Sequence, residues 1–157
     1  MTIETTRLRL RLFEILDAEW LFSVTRSDEV HKYLLGAYNH SLDQAVDCII
    51  NYYSKGDCIH DFYFVIENKE THEYIGFLII TPNFEGEFEV AMFTSKEYWR
   101  RGYMIEALWA FVQQIPKYST LKFVVNRQNE VSLKTLQKLN VTEITGTVSE
   151  RIFILEI

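Results

Sequence analysis

The sequence predicts one mixed α/β domain of the α+β class, in which helices cover the faces of a central sheet. Its 157 residues fit a single domain, residues 1–157, and hydrophobic residues make up 48% of the chain, enough for a core without disulfides. Strand patterns dominate the first half, whereas strands and helices alternate in the second. Because a helix between two strands normally makes a right-handed parallel crossover, this order predicts a mixed sheet.

The amino-terminal half begins with a strand and two helices. Leu8, Leu10 and Leu12 alternate with arginines, which predicts a strand whose arginines face solvent or carboxylates. Trp20, Leu21 and Val24 then follow helical spacing from Asp17 onward. A second short helix is predicted for Glu29 to Leu35, ending near Gly36.

The best-marked helix of this half starts at Ser41 and precedes a hairpin. Ser41 and Gln44 make a capping box, and Gly56 provides the stop. Two runs rich in β-branched and aromatic residues, Phe62 to Glu67 and Tyr74 to Thr81, then predict an antiparallel hairpin. A turn follows from Pro82 to Gly86.

The second half alternates strands with helices of clear amphipathic period. Three strands are predicted, at Phe88 to Thr94, Leu121 to Val125 and Arg151 to Ile157. Two helices lie between them, at Gly102 to Ile115, where Pro116 blocks continuation, and at Asn129 to Leu139.

Composition and charge exclude several classes of function. Sixteen Lys and Arg against 22 Asp and Glu give a net charge of -6, which disfavours nucleic acid and mildly favours cationic partners. No apolar run reaches the roughly 18 residues of a membrane span, and the start lacks the apolar core of a signal peptide, so we expect a cytoplasmic protein without a membrane partner. Two cysteines without a C-x-x-C pair, and four histidines without paired metal spacing, predict no metal site and no disulfide framework: Cys48, Cys58, His31, His40, His60 and His72.

The segment YWRRGYMIEA, residues 98–107, is the strongest candidate for chemistry. A glycine lets the backbone approach a ligand, and the first N–H groups of the following helix form an anion site beside Arg100 and Arg101. This pattern favours a phosphate-bearing ligand. An ordinary exposed helix start has about even weight from spacing alone. The glycine-rich motifs of nucleoside-triphosphate and dinucleotide sites are absent from the sequence.

The same segment resembles the pyrophosphate-binding signature of the GNAT superfamily of N-acetyltransferases, Gln/Arg-x-x-Gly-x-Gly/Ala. Trp99 falls on the first position, as is common in the branch that resembles ribosomal-protein N-terminal acetyltransferases (RimJ/RimL-like). Gly102 matches the central glycine, and Glu106 with Ala107 match the following helix. Met104 departs from the small residue usual at its position, which predicts a bulkier loop.

The resemblance extends along the whole chain. TIETTRLRLRLFEILDAEW resembles the first strand and helix of the branch, and SDEVHKYL with NHSLDQAVDCI resembles its second pair of helices. Asn129 to Ser132 reproduces the branch's N-x-x-S, while Asn140 and Val141 replace the family's Gly-Phe. The resemblance implies the GNAT acyl-CoA N-acyltransferase fold, with a central, mostly antiparallel twisted sheet and helices on both faces.

The implied activity is transfer of the acetyl group of acetyl-CoA to a primary amine, on a protein N-terminus or a small molecule, by direct attack in a ternary complex. The resemblance also places backbone donors for the thioester carbonyl at a bulge near Met92 and Phe93. The residues implied to bind acetyl-CoA are Met92, Phe93, Thr94, Arg100, Arg101, Gly102, Tyr103, Met104, Ile105, Asn129 and Ser132.

Catalytic roles fall on two residues, each with a structural alternative. Glu89 is the candidate base, although its alternation with Glu85 and Glu87 also fits the polar face of an edge strand. Ser132 is the candidate acid, because Leu136 stands where many family members carry a tyrosine, and it also fits a helix cap.

The acceptor site and the assembly state are less defined. Tyr33 and Tyr38 are candidates to line the amine pocket, with ordinary packing as the alternative. A monomer and a homodimer are both compatible with the sequence. Because Met104, the missing Gly-Phe and the missing tyrosine depart from the family pattern, a GNAT-fold module that binds CoA or a protein without efficient catalysis is the alternative function.

Overall fold

Eight strands form one sheet within the residues that the computed structural model describes, 1–33, 40–55, 61–83 and 86–157. Their order across the sheet is β1-β2-β3-β4-β5-β6-β8-β7, and β5 with β6 is the parallel pair of these strands. The strands are β1 (Thr2–Glu4), β2 (Leu8–Leu12), β3 (Phe62–Asn68), β4 (Tyr74–Pro82), β5 (Glu87–Thr94), β6 (Thr120–Asn126), β7 (Thr142–Ile144) and β8 (Glu150–Glu156).

Helices cover both faces of this sheet, as the sequence predicts. On one face α4 buries Leu108 and Phe111 against Phe64 and Leu78. On the other face α1 and α3 bury Leu21 and Ala45 among neighbouring apolar side chains. The helices are α1 (Ala18–Thr25), α2 (Asp28–Tyr33), α3 (Leu42–Cys48), α4 (Tyr103–Val112) and α5 (Glu130–Leu136).

The predicted hairpin, the three later strands and the two later helices are confirmed, with ends that shift by a few residues. The helix that begins at Ser41 has its predicted cap, since Ser41 Oγ accepts the Gln44 N–H at 3.1 Å, and a π-helical turn, Ile49–Tyr53, continues it. Its predicted stop, Gly56, lies outside the described residues, as do Leu35 and Gly36 at the end of the second predicted helix.

The connection from β6 through α5 does not lead to the strand parallel to β6 that the alternation of strands and helices predicts. Helix α5 leads into the short strand β7, and β8 then inserts between β7 and β6, antiparallel to both. The predicted strand at the C-terminus therefore pairs with β6 in the antiparallel sense. The two strands of three residues, β1 and β7, are too short to show alternation in the sequence.

A buried ion pair ties β2 to the segment that leads into α1. The Arg11 guanidinium donates to both Asp17 carboxylate oxygens, at 2.7 and 2.9 Å, and Asp17 is 1% exposed. Asp17 also accepts the Glu14 N–H and the Tyr74 hydroxyl. Burial by itself raises the pKa of Asp17, but these hydrogen bonds and the Arg11 charge outweigh it and hold the pKa below its usual value.

Replacing Asp17 by Asn should lower the free energy of unfolding by about 3 kcal/mol at pH 7, because it removes the buried carboxylate that pairs with both Arg11 Nη atoms and leaves Arg11 with the Glu67 carboxylate, at 3.2 Å. The folded-state pKa is depressed, so the stabilisation is fully present above the unfolded pKa, about 3.9, and is lost as the pH falls through the folded pKa. Urea denaturation at several pH values should show the difference from wild type shrinking towards low pH.

The matched control is Glu143→Gln, which removes the exposed Arg151 ion pair and should cost far less stability than Asp17→Asn. A difference between wild type and Asp17→Asn that stays constant between pH 7 and pH 3 would contradict this account of Asp17.

Candidate active site

Strands β5 and β6 separate after three residue pairs. Glu87, Phe88 and Glu89 pair in parallel with Thr120 to Lys122, yet β5 continues to Thr94 and β6 continues to Asn126. The edge of β5 from Val90 onward therefore has no strand partner on its β6 side. This opening in the sheet is the cleft of the molecule.

The backbone direction of β5 determines which groups face this cleft. The Ser95 N–H donates to the Ile75 carbonyl of β4 at 2.9 Å. Because successive residues of a strand direct their backbone groups to opposite sides, Phe93 faces β4, while Met92 and Thr94 face the cleft. The indole N–H of Trp99 donates a hydrogen bond to the Thr94 carbonyl at 2.7 Å. The Met92 N–H and C=O groups are thus directed into the cleft.

The prediction of a bulge around Met92 and Phe93 is wrong. The β4–β5 register runs without a shift from Gly76 opposite Thr94 to Pro82 opposite Phe88. Divergence of β5 from β6, rather than an extra residue in β5, exposes the Met92 backbone.

The cleft has a volume of about 290 Å³ and is enclosed by β5, β6, the loop before α4, the start of α5 and one residue of α2. Most of the predicted ligand-binding residues line it. They are Tyr33, Met92, Phe93, Thr94, Arg100, Gly102, Tyr103, Met104, Ile105, Asn129 and Ser132.

The first turn of α4 carries backbone donors at one end of the cleft. The first helical bond runs from the Glu106 N–H to the Gly102 carbonyl at 3.0 Å, so the N–H groups of Tyr103 to Ile105 have no acceptor within the helix. Arg100 and Gly102 both have positive φ, 64° and 79°, which turns the chain sharply into the helix. Free amides together with the positive end of the helix dipole form an anion site.

Met104, whose size predicts a bulkier loop, packs into the core. Its side chain is 7% exposed and belongs to the hydrophobic core on the α4 face. The residue also lines the cleft.

Positive side chains lie around the cleft of this acidic chain. Arg100 lines it, whereas the Arg101 guanidinium lies 5.6 Å from the Tyr98 ring centroid and is not among the lining residues. Lys134 of α5 and Lys138, just after its end, also line the cleft, as does Glu130, whose carboxylate is 3.2 Å from the Lys134 ammonium. The two lysines were not predicted as site residues, although their spacing of four within the predicted helix Asn129 to Leu139 is the signal that could have found them.

Asn129, not Ser132, caps helix α5. The Asn129 side-chain carbonyl accepts the Ser132 N–H at 3.1 Å. Asn129 therefore has the capping role that was the structural alternative for Ser132. Ser132 itself lines the cleft. Leu136 is fully buried in the core.

Glu89 lies at the point where β5 and β6 separate. Its carboxylate is 3.4 Å from the Lys122 ammonium, and its side chain is 44% exposed. Strand alternation places it on the same face as Phe93, opposite to Met92, and it is not among the residues that line the cleft. Glu87 shares this face and accepts the Asn83 amide at 3.0 Å, while Glu85 lies outside the described residues.

The two predicted acceptor residues have different outcomes. The Tyr33 hydroxyl donates to the Gln128 carbonyl at 3.2 Å, which joins α2 to the turn before α5 at the cleft. Tyr38 lies outside the described residues.

Sequence comparison identifies the family. The model of the acetyltransferase (GNAT) domain matches residues 7–142. Comparison with proteins of curated function gives no significant match.

Solved structures share this fold at low sequence identity. RimL, the ribosomal L7/L12 alpha-N-protein acetyltransferase, in complex with coenzyme A superposes with a TM-score of 0.84 at 13% identity, covering 100% of this chain and 98% of that one. A structure described as a putative ribosomal-protein-serine acetyltransferase from Vibrio cholerae gives 0.80 at 18% identity, with coverage of 100% and 98%. An acetyltransferase from Agrobacterium tumefaciens gives 0.75 at 21% identity, with coverage of 100% and 95%.

The family match places this protein, with its opened sheet and helix start, among the acyltransferases. The chain belongs to the GNAT acetyltransferase family. It is an enzyme that transfers an acetyl group to an amine.

Two kinds of feature are absent from residues 1–33, 40–55, 61–83 and 86–157. None of the helices there is long and apolar enough to cross a membrane. No group of three or more His, Cys, Asp or Glu side chains is arranged to hold a metal ion in the same part of the chain.

Gly76→Ala should disrupt the cleft through β5. An added Cβ at this position would lie 2.0 Å from the Phe93 carbonyl oxygen and 3.0 Å from Thr94 Cα, so β5 must move. We expect a loss of more than about 3 kcal/mol in the free energy of unfolding, measured by urea denaturation.

Gly86→Ala is the control, because an added Cβ there meets nothing within 4 Å and only the positive φ is unfavourable. It should cost about 1 kcal/mol. Equal losses in the two variants would show that the close approach of Gly76 to Phe93 does not hold β5 in place.

Proposed function

We propose that the cleft between β5 and β6 binds acetyl-CoA and that the acetyl group passes directly to a primary amine in a ternary complex. One observation carries this proposal: the free edge of β5 at Met92 lies in the same cleft as the free amides of Tyr103 to Ile105. An edge of this kind pairs with an extended, amide-bearing chain, and a helix start accepts phosphate.

The residues present fit the two ends of this ligand. Backbone groups of Met92 can pair with the amides of the pantetheine arm, and the first turn of α4 with Arg100 suits the pyrophosphate. Lys138 adds positive charge to the cleft lining, where Lys134 is paired with Glu130 at 3.2 Å. Bound acetyl-CoA supplies an acyl group activated as a thioester.

Proton transfer is the chemistry that remains for side chains. The attacking amine must lose a proton, and Glu89, at the separation of β5 and β6, is the proposed base. An α-amino group, with a pKa of about 8, needs less help than a lysine amine near 10.4. Ser132, in the cleft wall on α5, is the proposed donor to the leaving thiolate.

The acceptor is proposed to be a cationic primary amine, on a protein N-terminus or a small molecule. The net charge of -6 favours the encounter with a cation. Structural relatives whose descriptions name ribosomal-protein acetyltransferases make protein N-termini the first acceptors to assay. We place the reaction in the cytoplasm, where protein N-termini emerge during synthesis.

The test is acetyl-CoA-dependent thiol release by the purified protein with a panel of peptides that have free N-termini and of small amines. We expect release that requires both acetyl-CoA and an amine, with acetylated product detected by mass spectrometry. Binding of acetyl-CoA without product from any amine would instead support the alternative, a binding module without efficient catalysis.

Glu89→Gln should lower kcat by about 100-fold near neutral pH, the contribution typical of a general base. The deficit should shrink as the pH rises, because a growing fraction of the amine is already deprotonated. The measurement is the pH profile of kcat for both proteins with one amine.

Glu87→Gln is the matched control, since Glu87 lies on the same strand and the same face two residues away. Its profile should follow wild type. Equal profiles for wild type and Glu89→Gln would remove Glu89 from the mechanism and leave it as part of the polar strand face.

A further inference from the structure

Arg7 lies in the loop between β1 and β2 and contacts the segment that leads into α4. Its Nη1 donates to the Arg101 carbonyl at 3.2 Å, and its Nε donates to the Glu106 carboxylate at 2.7 Å. The guanidinium carbon lies 4.4 Å from the centroid of the Tyr103 ring. One side chain thus contacts the loop on both sides of Gly102.

Glu106 places a negative charge in the first turn of α4, beside the proposed anion site. Burial raises the pKa of Glu106, but hydrogen bonds from Thr5 and Arg7, together with the Arg7 charge, outweigh it and keep the pKa below its usual value. The carboxylate is therefore charged at neutral pH. An unneutralised carboxylate here would repel a phosphate group bound at the helix start.

Arg7 contacts the loop without lining the cleft. It is not among the residues that line the cleft, and the nearest atom to a Cβ built on Gly102 is Arg7 Nη2, at 3.8 Å. Its contacts are with the Arg101 carbonyl, the Tyr103 ring and the Glu106 carboxylate, so we expect its effect on binding to pass through these groups.

We propose that Arg7 is a positioning residue for the pyrophosphate of acetyl-CoA: it fixes the loop from Arg101 to Tyr103 and neutralises Glu106. This inference rests on the proposed function of the cleft. The experimental result expected for this role follows from the exposure of the Arg7–Glu106 ion pair. The Arg7 side chain is 44% exposed, and exposed ion pairs add little to global stability. Loss of Arg7 should therefore weaken nucleotide binding far more than it weakens the fold.

The experiment compares wild type with Arg7→Met in two assays. Calorimetry measures the Kd for CoA, and initial rates give kcat/KM with acetyl-CoA and with S-acetylpantetheine, which lacks the pyrophosphate. We expect a Kd about tenfold higher and a matching loss of kcat/KM with acetyl-CoA, from the like charge left beside the phosphates. The rate with S-acetylpantetheine and the thermal midpoint should stay close to wild type.

Three further variants identify the cause. Arg9→Met is the matched control, because Arg9 pairs with Glu4 and Glu67, away from α4, and its loss changes the net charge by the same amount. It should bind CoA within about twofold of wild type. Arg7→Met combined with Glu106→Gln should recover part of the affinity, and Arg7→Lys should fall between wild type and Arg7→Met.

Several outcomes would overturn the inference. If Arg7→Met binds CoA as tightly as Arg9→Met does, Arg7 has a structural role alone. The same conclusion follows if Arg7→Met loses activity with S-acetylpantetheine as strongly as with acetyl-CoA. If Arg7→Met does not fold, Arg7→Lys decides, and wild-type affinity in it would refute the positioning role. Failure of wild type to bind CoA would refute the proposed function and this inference together, whereas binding by wild type isolates the role of Arg7.

Discussion

The separation of β5 from β6 after Glu89 is the constraint on which the site depends. Continued pairing would satisfy the Met92 backbone within the sheet and close the space that the ligand needs. The opening leaves backbone groups of β5 directed into a cleft. One of them, the Thr94 carbonyl, accepts a hydrogen bond from the Trp99 indole. The cleft is therefore a local loss of sheet pairing, held open by the continuous β4–β5 register on its other side.

Positively charged side chains lie at the cleft, although the chain as a whole is acidic. The net charge is -6, yet Arg100 and Lys138 line the cleft, where Lys134 is paired with Glu130. The one carboxylate in the first turn of that helix, Glu106, is paired with Arg7. An anion thus meets backbone amides and cations at this wall, while the acidic remainder favours the approach of a cationic acceptor.

Local pattern was enough to predict most elements, because the hairpin strands, α4 and α5 have residue periods that show which face is buried. Only the family resemblance, and not the local pattern, grouped most of the proposed ligand-binding residues at one site. It could not show where β5 leaves β6, since backbone pairing is not visible in side-chain alternation. Nor could it show the partner of Arg7, because Glu106 is 99 residues away and the contact depends on how the sheet and α4 pack.

Residue-resolved amide hydrogen exchange, measured by NMR with and without CoA, tests whether the opening between β5 and β6 binds CoA. We expect slower exchange on CoA addition at the amides of Met92 and of Tyr103 to Ile105, with little change in the distant strand β7. If CoA binds while these amides exchange as fast as before, the opening between β5 and β6 is not the binding site.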